Sequence, residues 1–482
     1  MGSSDIKNRS FFKQDIYVVM KKYEVNFYFL GIYIFLDYFS SCCQPKKFVV
    51  LRALLSIVYK HLNFFEKLLT SISAALLLLI AMYCWMNMPM NFIGEETFAK
   101  ASVKLANLFS PKENLPYDMN DVMFIDVSRS SAIVEDQYGT HVIANRARLD
   151  TLFRMLHRNM NPEQIIVCDL YFDISSERDW SLQSSMAGFP NLLSTVKTNW
   201  HGDITRNVLK AGTSATTGFQ RIREPFLIFS NSLYKFHLTD EKNIKTLPLL
   251  MYERVNTTSA FCWGDALKIG NDWYFNTIPI TEELGRTVPK AVYEDQVIPI
   301  QKVISSAKKN LNGMMDQLHY KKFIVIGNFE QDAHQTTFGG KPGPMIIFDI
   351  YLFLQQKENM ISTGWLLLTI SFLTLLFFRK FYHPDLFKTY IQPLNDRIKF
   401  YGLQLPSEFD WLFFYLYILF SAVFFHIYLE TVAAILFLSI FTWTRLYLKS
   451  RYLIMQNFIQ SGRILSARIL FSFLFRKPGL KN

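Results

Sequence analysis

Cysteine is scarce in this sequence, and the few cysteines show no metal-binding spacing. The five cysteines include one adjacent couple, Cys42 and Cys43, and no pair at the CxxC spacing that zinc sites use. We therefore predict no metal site. Cys168 and Cys262 leave two interpretations open: a disulfide, if this part of the chain is extracytoplasmic, or two buried free thiols.

Catalytic and phosphate-binding patterns are missing as well. Spacing alone defines no Ser-His-Asp, Cys-His or paired-carboxylate arrangement. The run GGKPGP at Gly339 lacks the GK[ST] ending and the following helix start of a phosphate-binding loop, so it predicts a turn. We therefore expect no catalytic residue, no cofactor and no enzymatic activity.

Acidic residues are the minority charge, and the C-terminal tail has none. The net charge is +11, and basic residues cluster in segment 1–67, at Arg379-Lys380 and in the tail 449–482. Because these clusters lie beside apolar runs, they favour the positive-inside rule over a nucleic-acid-binding surface. In the tail, apolar residues interleave with arginines, as in a basic amphipathic helix on anionic lipid. Nucleic-acid binding is the competing interpretation of the tail, and we expect no nucleic-acid partner.

The N-terminal segment contains a short apolar run at residues 27–39. The run is short for a membrane span and carries Asp37, so we interpret it as an interfacial helix in the cytoplasmic leaflet. The alternative is a lipoprotein signal, which Lys21-Lys22 and Ser41-Cys42 imitate.

Long apolar runs lie on both sides of a central segment. Four of them predict transmembrane helices: residues 68–88, 361–378, 411–429 and 431–448. The charge distribution places both termini and the loop 379–410 in the cytoplasm and residues 121–357 outside. A juxtamembrane helix and linker, residues 89–120, connects the first span to this domain.

The central segment alternates strands and helices. A strand at 122–127, an amphipathic helix through Leu149 to Leu156 and a strand at 165–172 favour a parallel pair with a crossover. We therefore predict an α/β domain with a mixed or mainly parallel sheet and flanking helices. Further predicted elements are a helix at 179–186, strands at 225–229 and 273–275, a helix at 299–318 and a last strand at 323–327. Residues 191–223 give no assignment.

The order of these motifs and the membrane layout resemble the CHASE2 family of extracytoplasmic sensory domains in bacterial membrane receptors. The motifs are VMFIDVS at Val122, NRARLDTLF at Asn145, IIVCDLYFD at Ile165, DWSLQSSM at Asp179 and KKFIVIGNFEQDAHQTTFGGKPGP at Lys321. One span before the domain and three after it is also the usual layout of that family.

The chain departs from that family in two places. MIIFDIYLFL follows the glycine loop where relatives carry a small and polar segment, and no catalytic domain follows the last span. The resemblance therefore implies a receptor whose output passes through a separate protein.

Several polar residues in these motifs lie at strand ends or at a helix start. Asp126, Arg146, Asp169 and Asp332 are candidate ligand-binding residues, because ligands of open parallel sheets bind outside the carboxyl ends of the strands. The alternative is that Arg146 pairs structurally with Asp169 or Asp126. Asp332 and His334 have one residue between them, which fits a metal-binding pair, a loop bonded to its own backbone, or a sensor of external pH.

Three ionisable residues lie in or beside the last two spans. His426, Glu430 and Arg445 open a channel or proton-relay interpretation, because such groups are costly in hydrocarbon. With Glu430 at the turn of a tight helical hairpin and Arg445 reaching the inner surface, anchoring is the interpretation we favour.

Together these patterns predict a multi-pass protein of the bacterial inner membrane, whose sensory domain relays a signal to a separate cytoplasmic partner. A structural subunit of a cell-envelope complex is the alternative, and a channel or transport protein is the third choice. A homo-oligomer stays open, although the spans contain no GxxxG pair.

Overall fold

In the computed structural model, the structure describes residues 63–87, 92, 94–109, 121–137, 139–158, 161–197, 208–209, 212–215, 235–240, 242–263, 266–280, 296–309, 313–336, 339–382, 410–440 and 444. The predictions for residues 27–39, for the strand 225–229, for Arg445 and for the tail 449–482 lie outside these residues. The chain forms two compact units, and the unit that contains residues 79–372 and 401–435 holds every site discussed below.

A six-stranded parallel sheet forms the centre of this unit. The strands are β1 (Val122–Asp126), β4 (Ile165–Asp169), β5 (Leu192–Thr195), β6 (Thr213–Ala215), β12 (Val297–Pro299) and β13 (Phe323–Gly327). Their order in the sheet is β12-β1-β13-β4-β5-β6. All residues of β1, β13 and β4 are buried, because helices cover both faces of a parallel sheet. The prediction of an α/β domain is confirmed.

Each face of the sheet has its own apolar core. Ile125 and Ile166 lie in a cluster with residues of helices α3 (Arg146–Arg158), α4 (Asp179–Met186), α6 (Ile300–Lys308) and α7 (Met314–Tyr320). Alternate strand residues, such as Phe124 and Val167, lie in the second cluster with α5 (Leu247–Asn256) and α8 (Gly343–Gln355).

The prediction of one continuous helix at 299–318 is wrong. It consists of α6 and α7, and Gly313 between them has a φ of +59°. Glycine adopts this left-handed conformation without the steric penalty of a Cβ, so the chain turns here.

The helix α8 is an apolar segment inside the domain. Residues Gly343 to Leu354 are all buried, and the Phe348 ring packs edge-to-face on Phe124 with centroids 5.5 Å apart. Its 13 residues are too few to cross a bilayer. The run MIIFDIYLFL is therefore a core helix under the sheet.

Four smaller antiparallel sheets complete the domain. They are β2 (Ser131–Asp136) with β3 (Gly139–Ala144), β7 (Lys235–His237) with β11 (Thr277–Pro279), β8 (Ala260–Trp263) with β9 (Ala266–Ile269) and β10 (Asp272–Phe275), and β14 (Ala333–Thr336) with β15 (Gly339–Pro342).

The apolar helices outside the domain only partly match the four predicted spans. Among the described residues, two helices are long and apolar enough to cross a membrane, in α1 (Asn63–Met86) and α9 (Thr363–Tyr382). These helices are compatible with association with a membrane. Two shorter apolar helices, α10 (Asp410–Phe425) and α11 (Thr431–Ile440), overlap parts of the predicted spans 411–429 and 431–448. The helix α2 (Glu95–Phe109) follows α1.

The connection between α10 and α11 differs from the predicted tight hairpin. Residues 426–430 are all non-helical, so the turn is longer than Glu430 alone. The backbone leaves α10 at His426, which has a φ of +54°. Glu430 is only 3% exposed and directly precedes α11, so the domain surrounds this carboxylate.

Candidate functional site

A buried ionic cluster joins the domain to the ends of the apolar helices. We call it the polar junction, and it consists of Trp85, Glu95, Lys235 and Glu430. The side chains of Lys235 and Glu430 are 4% and 3% exposed, and the Lys235 ammonium is in direct contact with the Glu430 carboxylate. Trp85 Nε1 donates a hydrogen bond of 2.5 Å to Glu430 Oε2. Charges this deeply buried are costly unless they are paired and hydrogen-bonded, and here both conditions hold.

Trp85 holds the lysine as well as the glutamate. Lys235 Nζ donates to the Trp85 carbonyl oxygen at 3.1 Å and lies 5.6 Å from the centroid of the indole ring. The Phe92 ring also stacks on the Trp85 ring, with centroids 4.4 Å apart. The last turn of α1 is therefore tied to β7, the strand that carries Lys235.

Glu95 connects the junction to α11. Its carboxylate accepts hydrogen bonds from the backbone N–H groups of Thr431 at 2.6 Å and Val432 at 2.7 Å. The first N–H groups of a helix have no partner within the helix and carry a partial positive charge. Glu95 therefore stabilises the start of α11 from the first turn of a different helix, α2.

Burial changes the protonation of this cluster. Burial, and then the nearby negative charge of Glu430, raise the pKa of Glu95 to about 8. Burial lowers the pKa of Lys235, and the attraction of Glu430 opposes that change. Burial and the charge of Glu430 therefore disfavour the ionised form of Glu95 more than the hydrogen bonds from Val432 and Thr431 favour it.

A second layer of hydrogen bonds surrounds the junction. Thr277 Oγ1 on β11 lies 3.3 Å from Asn87 Oδ1 beyond α1. Asn359 Nδ2 donates to the Thr277 carbonyl at 2.8 Å, and its backbone N–H donates to the His426 carbonyl at 3.1 Å. Next to these groups, His237 has its pKa lowered to about 4 by burial and by the charge of Lys235, so its ring is neutral.

The helices α9 and α10 are bonded to each other near this layer. Trp365 Nε1 donates to Ser421 Oγ at 2.8 Å, and Ser421 Oγ donates to the Ile427 carbonyl at 3.0 Å. The Phe275 ring at the end of β10 packs edge-to-face on Trp365 with centroids 5.9 Å apart. The domain thus contacts the start of α9 through a strand end.

The predicted ligand-binding residues fall into separate places. Asp126 Oδ1 accepts the N–H groups of Ser128 at 2.9 Å and Phe329 at 3.2 Å, and Oδ2 accepts the Ser128 hydroxyl at 2.6 Å. These bonds hold two loops together at the carboxyl ends of β1 and β13. This structural role is enough to account for Asp126 without a ligand.

Arg146 pairs with neither of the expected aspartates. Its Nε lies 3.2 Å from Asp179 Oδ1, and its guanidinium lies 4.4 Å from the centroid of the Phe172 ring. This corrects the expected pairing with Asp169 or Asp126, because α3 and α4 pack side by side on one face of the sheet. Within the part of the chain that the structure describes, Nη1 and Nη2 have no hydrogen-bond acceptor.

The charge of Asp332 acts on Asp169. Burial, and then the negative charge of Asp332, raise the pKa of Asp169 to about 7. Thr195 Oγ1 lies 3.3 Å from Asp169 Oδ1, and Asp332 Oδ1 lies 3.2 Å from His334 Nε2. The described residues contain no group of three His, Cys, Asp or Glu side chains that could hold a metal ion. The interpretation of Asp332 and His334 as a metal-binding pair thus has no third ligand there.

The two cysteines of the domain do not form a disulfide. Cys168 and Cys262 are both free thiols, the first fully buried in β4 and the second partly buried in β8. Of the two interpretations of this pair, disulfide or free thiols, the structure agrees with free thiols.

The chain matches no protein-family model, no curated protein and no solved structure. The resemblance to the CHASE2 family is therefore a prediction from its motifs.

Sequence reasoning identified Glu430 and missed its partners. Lys235 stands in the apolar run SLYKFHL, and an isolated charge within a strand of apolar residues is the signal that could have singled it out. Trp85 lies in the last turn of α1. Nothing local connects Glu95 to residues 431 and 432, because that contact exists only in the folded chain.

Proposed function

We propose that the chain is a sensor of the bacterial inner membrane, whose α/β domain is extracytoplasmic and relays its state to a separate cytoplasmic partner. The polar junction is the observation that carries this proposal. One residue of the domain, Lys235, contacts the end of α1 and the residue before α11, and Glu95 joins the start of α2 to the same point. A displacement of β7 therefore acts on three helix ends: the end of α1, the start of α2 and the start of α11.

The energetics of the junction make this connection stiff. Separating a buried ion pair leaves an uncompensated charge, which costs about 3–5 kcal/mol. A displacement of β7 that kept the ion pair would have to move Glu430 and α11 with it. Relay also requires that a ligand or partner binds two positions of β7 with different affinity.

The membrane layout of the proposal follows from the apolar helices and their charges. In this proposal the four spans predicted at residues 68–88, 361–378, 411–429 and 431–448 leave both termini in the cytoplasm. Arg379 and Lys380 in the last turn of α9 agree with the positive-inside rule. The edge of the sheet with Arg146, Asp169 and Asp332 is the proposed ligand-binding region.

A structural subunit of an envelope complex is the second candidate. The same junction favours it, because a fully buried ion pair also gives a rigid attachment between a docking domain and its anchor. The two candidates differ in what contacts the cytoplasmic segments.

Crosslinking in the native membrane separates the two candidates. The tagged full chain is purified after mild crosslinking, and the attached proteins are identified by mass spectrometry. For a relay we expect a stoichiometric cytoplasmic enzyme or regulator bound through residues 379–410 or 449–482. The double variant Lys235→Met with Glu430→Gln should change the yield of this crosslink when the membrane contains as much of the variant as of the unmodified protein. Only envelope proteins, attached through residues 121–357, would rule out the relay and support the structural subunit.

The control variant for this experiment carries a change in an exposed ion pair. Lys197 Nζ lies 3.3 Å from Asp173 Oδ2, and the two side chains are 55% and 32% exposed. Lys197→Met therefore removes a lysine of the same domain without disturbing the junction, and it should leave the crosslinks unchanged.

A further inference from the structure

The small sheet β8-β9-β10 has one apolar face and one exposed face. Ala260, Leu267, Ile269 and Tyr274 point into the core and are at most 6% exposed. The residues between them point the other way, because side chains alternate along a strand. We call the exposed residues the aromatic row, which consists of Phe261, Lys268 and Trp273.

The aromatic row runs straight across the three strands. Phe261 pairs with Lys268, and Lys268 pairs with Trp273, so the three side chains are neighbours on one face. Phe261 is 65% exposed and Trp273 is 37% exposed. Lys268 Nζ lies 5.8 Å from the centroid of the Trp273 ring. This face therefore presents two aromatic rings and one positive charge to its surroundings, which complements a partner that is both apolar and anionic.

The position of β10 indicates what this partner is. The backbone N–H of Ile361 donates to the Trp273 carbonyl at 2.6 Å, and Tyr274 forms a β-bridge with Met360. Ile361 stands two residues before α9, one of the two helices that are long and apolar enough to cross a membrane.

The other such helix ends at the same strand. The Tyr83 ring in the last turn of α1 lies 5.9 Å from the Phe275 ring, centroid to centroid. The end of α1 and the start of α9, which adjoin the domain, therefore both lie beside β10. If they cross a bilayer, its surface lies within a few residues of this sheet, at about 1.5 Å of rise per residue.

We propose that the aromatic row lies against the outer headgroups of the bilayer that α1 and α9 cross. Tryptophan and other aromatic rings favour the boundary between headgroups and acyl chains, and a lysine beside them pairs with lipid phosphates. The sheet would then fix the height and tilt of the domain on the membrane. This inference rests on the membrane insertion in the proposed function and does not require the relay.

Fluorescence from a label at Phe261 tests the inference in the full chain. Phe261→Cys is introduced after replacement of the native cysteines and labelled with the environment-sensitive dye NBD. The native replacements are Cys42→Ser, Cys43→Ser, Cys84→Ser, Cys168→Ala and Cys262→Ser. The protein is reconstituted in vesicles of phosphatidylcholine and phosphatidylglycerol, with or without lipids that carry a TEMPO quencher on the headgroup. We expect a blue-shifted emission that the TEMPO lipids quench.

Trp180→Cys provides the matched control. Trp180 is 84% exposed on α4, an aromatic residue of the same unit on another element. A label there should emit as in water and resist the lipid quencher. Adding Lys268→Glu to the Phe261→Cys protein should reduce quenching in the anionic vesicles, while circular dichroism stays the same.

Three results would overturn the inference. A label at Phe261 that the lipids quench no more than one at Trp180, in protein that resists extraction with alkaline carbonate, would leave membrane insertion intact and reject the aromatic row. A blue shift without lipid quenching would have the same meaning, since it would indicate a protein neighbour. Extraction of the protein by carbonate would reject the membrane insertion and the aromatic row together.

Discussion

Replacement of Lys235 by methionine tests the polar junction most directly. Methionine fills a similar volume but leaves the Glu430 carboxylate, 3% exposed, without its cation. Loss of one partner of a buried ion pair costs about 3–5 kcal/mol. Since domains are stable by only about 5–15 kcal/mol, this single change should remove a large part of the total.

The second half of this test removes the stranded charge. In the double variant Lys235→Met with Glu430→Gln, the glutamine oxygen can still accept the hydrogen bond from Trp85 Nε1, and no unpaired ion remains. We expect it to recover most of the lost stability, because replacing both members of a buried pair is often neutral. The coupling between the two changes should exceed about 1 kcal/mol.

The assay is the free energy of unfolding of the full chain in detergent, measured by denaturant titration for the four members of the cycle. Lys197→Met is the control, because the pair of Lys197 with Asp173 is exposed and should contribute less than about 1 kcal/mol. A single variant Lys235→Met as stable as this control would refute the reasoning. So would a double variant no more stable than the single one.

Three further predictions concern separate residues. The pKa of Glu95 is raised to about 8, so its contribution to stability is complete below about pH 4.5 and is lost as the pH rises to 8. Unfolding free energy should fall by about 1.4 kcal/mol per pH unit there, and Glu95→Gln should flatten the slope. Gly327→Ala puts a Cβ 2.3 Å from Pro344 Cγ and should lower the melting temperature, at a cost of about 1–3 kcal/mol. Gly340→Ala is the control and should leave the melting temperature unchanged, because a Cβ there would be 3.9 Å from its nearest atom. Asp126→Ala should cost about 1–3 kcal/mol in denaturant titrations, since it leaves buried N–H groups unpaired. An unchanged pH slope for Glu95→Gln, an unchanged melting temperature for Gly327→Ala or an unchanged denaturation midpoint for Asp126→Ala would contradict the respective prediction.

The polar junction and the proposed ligand-binding region belong to different parts of the domain. This region lies at the carboxyl ends of β1, β4 and β13, whereas the junction lies beside the small sheet of β7 and β11. A signal from one to the other would pass through the core on the α8 side, where Phe348 and Tyr351 pack on the sheet. Such a core transmits displacement because it is close-packed.

The sequence by itself determined the elements whose signal is local. The strands β1, β4 and β13 are runs of buried apolar residues, α4 begins and ends where its pattern predicts, and α1 and α9 are long apolar helices. Each of these depends on neighbours a few positions away, so periodicity and length are sufficient to predict it. The same local signal placed Asp126, Asp169 and Asp332 at strand ends or in the following loop.

Only the tertiary structure decided which of these residues meet. It paired Arg146 with Asp179 through the packing of α3 on α4, and it buried the apolar α8 under the sheet. It also brought Lys235 and Glu95 to the segment before α11. These contacts join positions far apart in the chain, and the free energy that selects them comes from burial of a whole core. No spacing within the sequence carries that information, which is why Glu430 was a candidate without a partner until the fold supplied one.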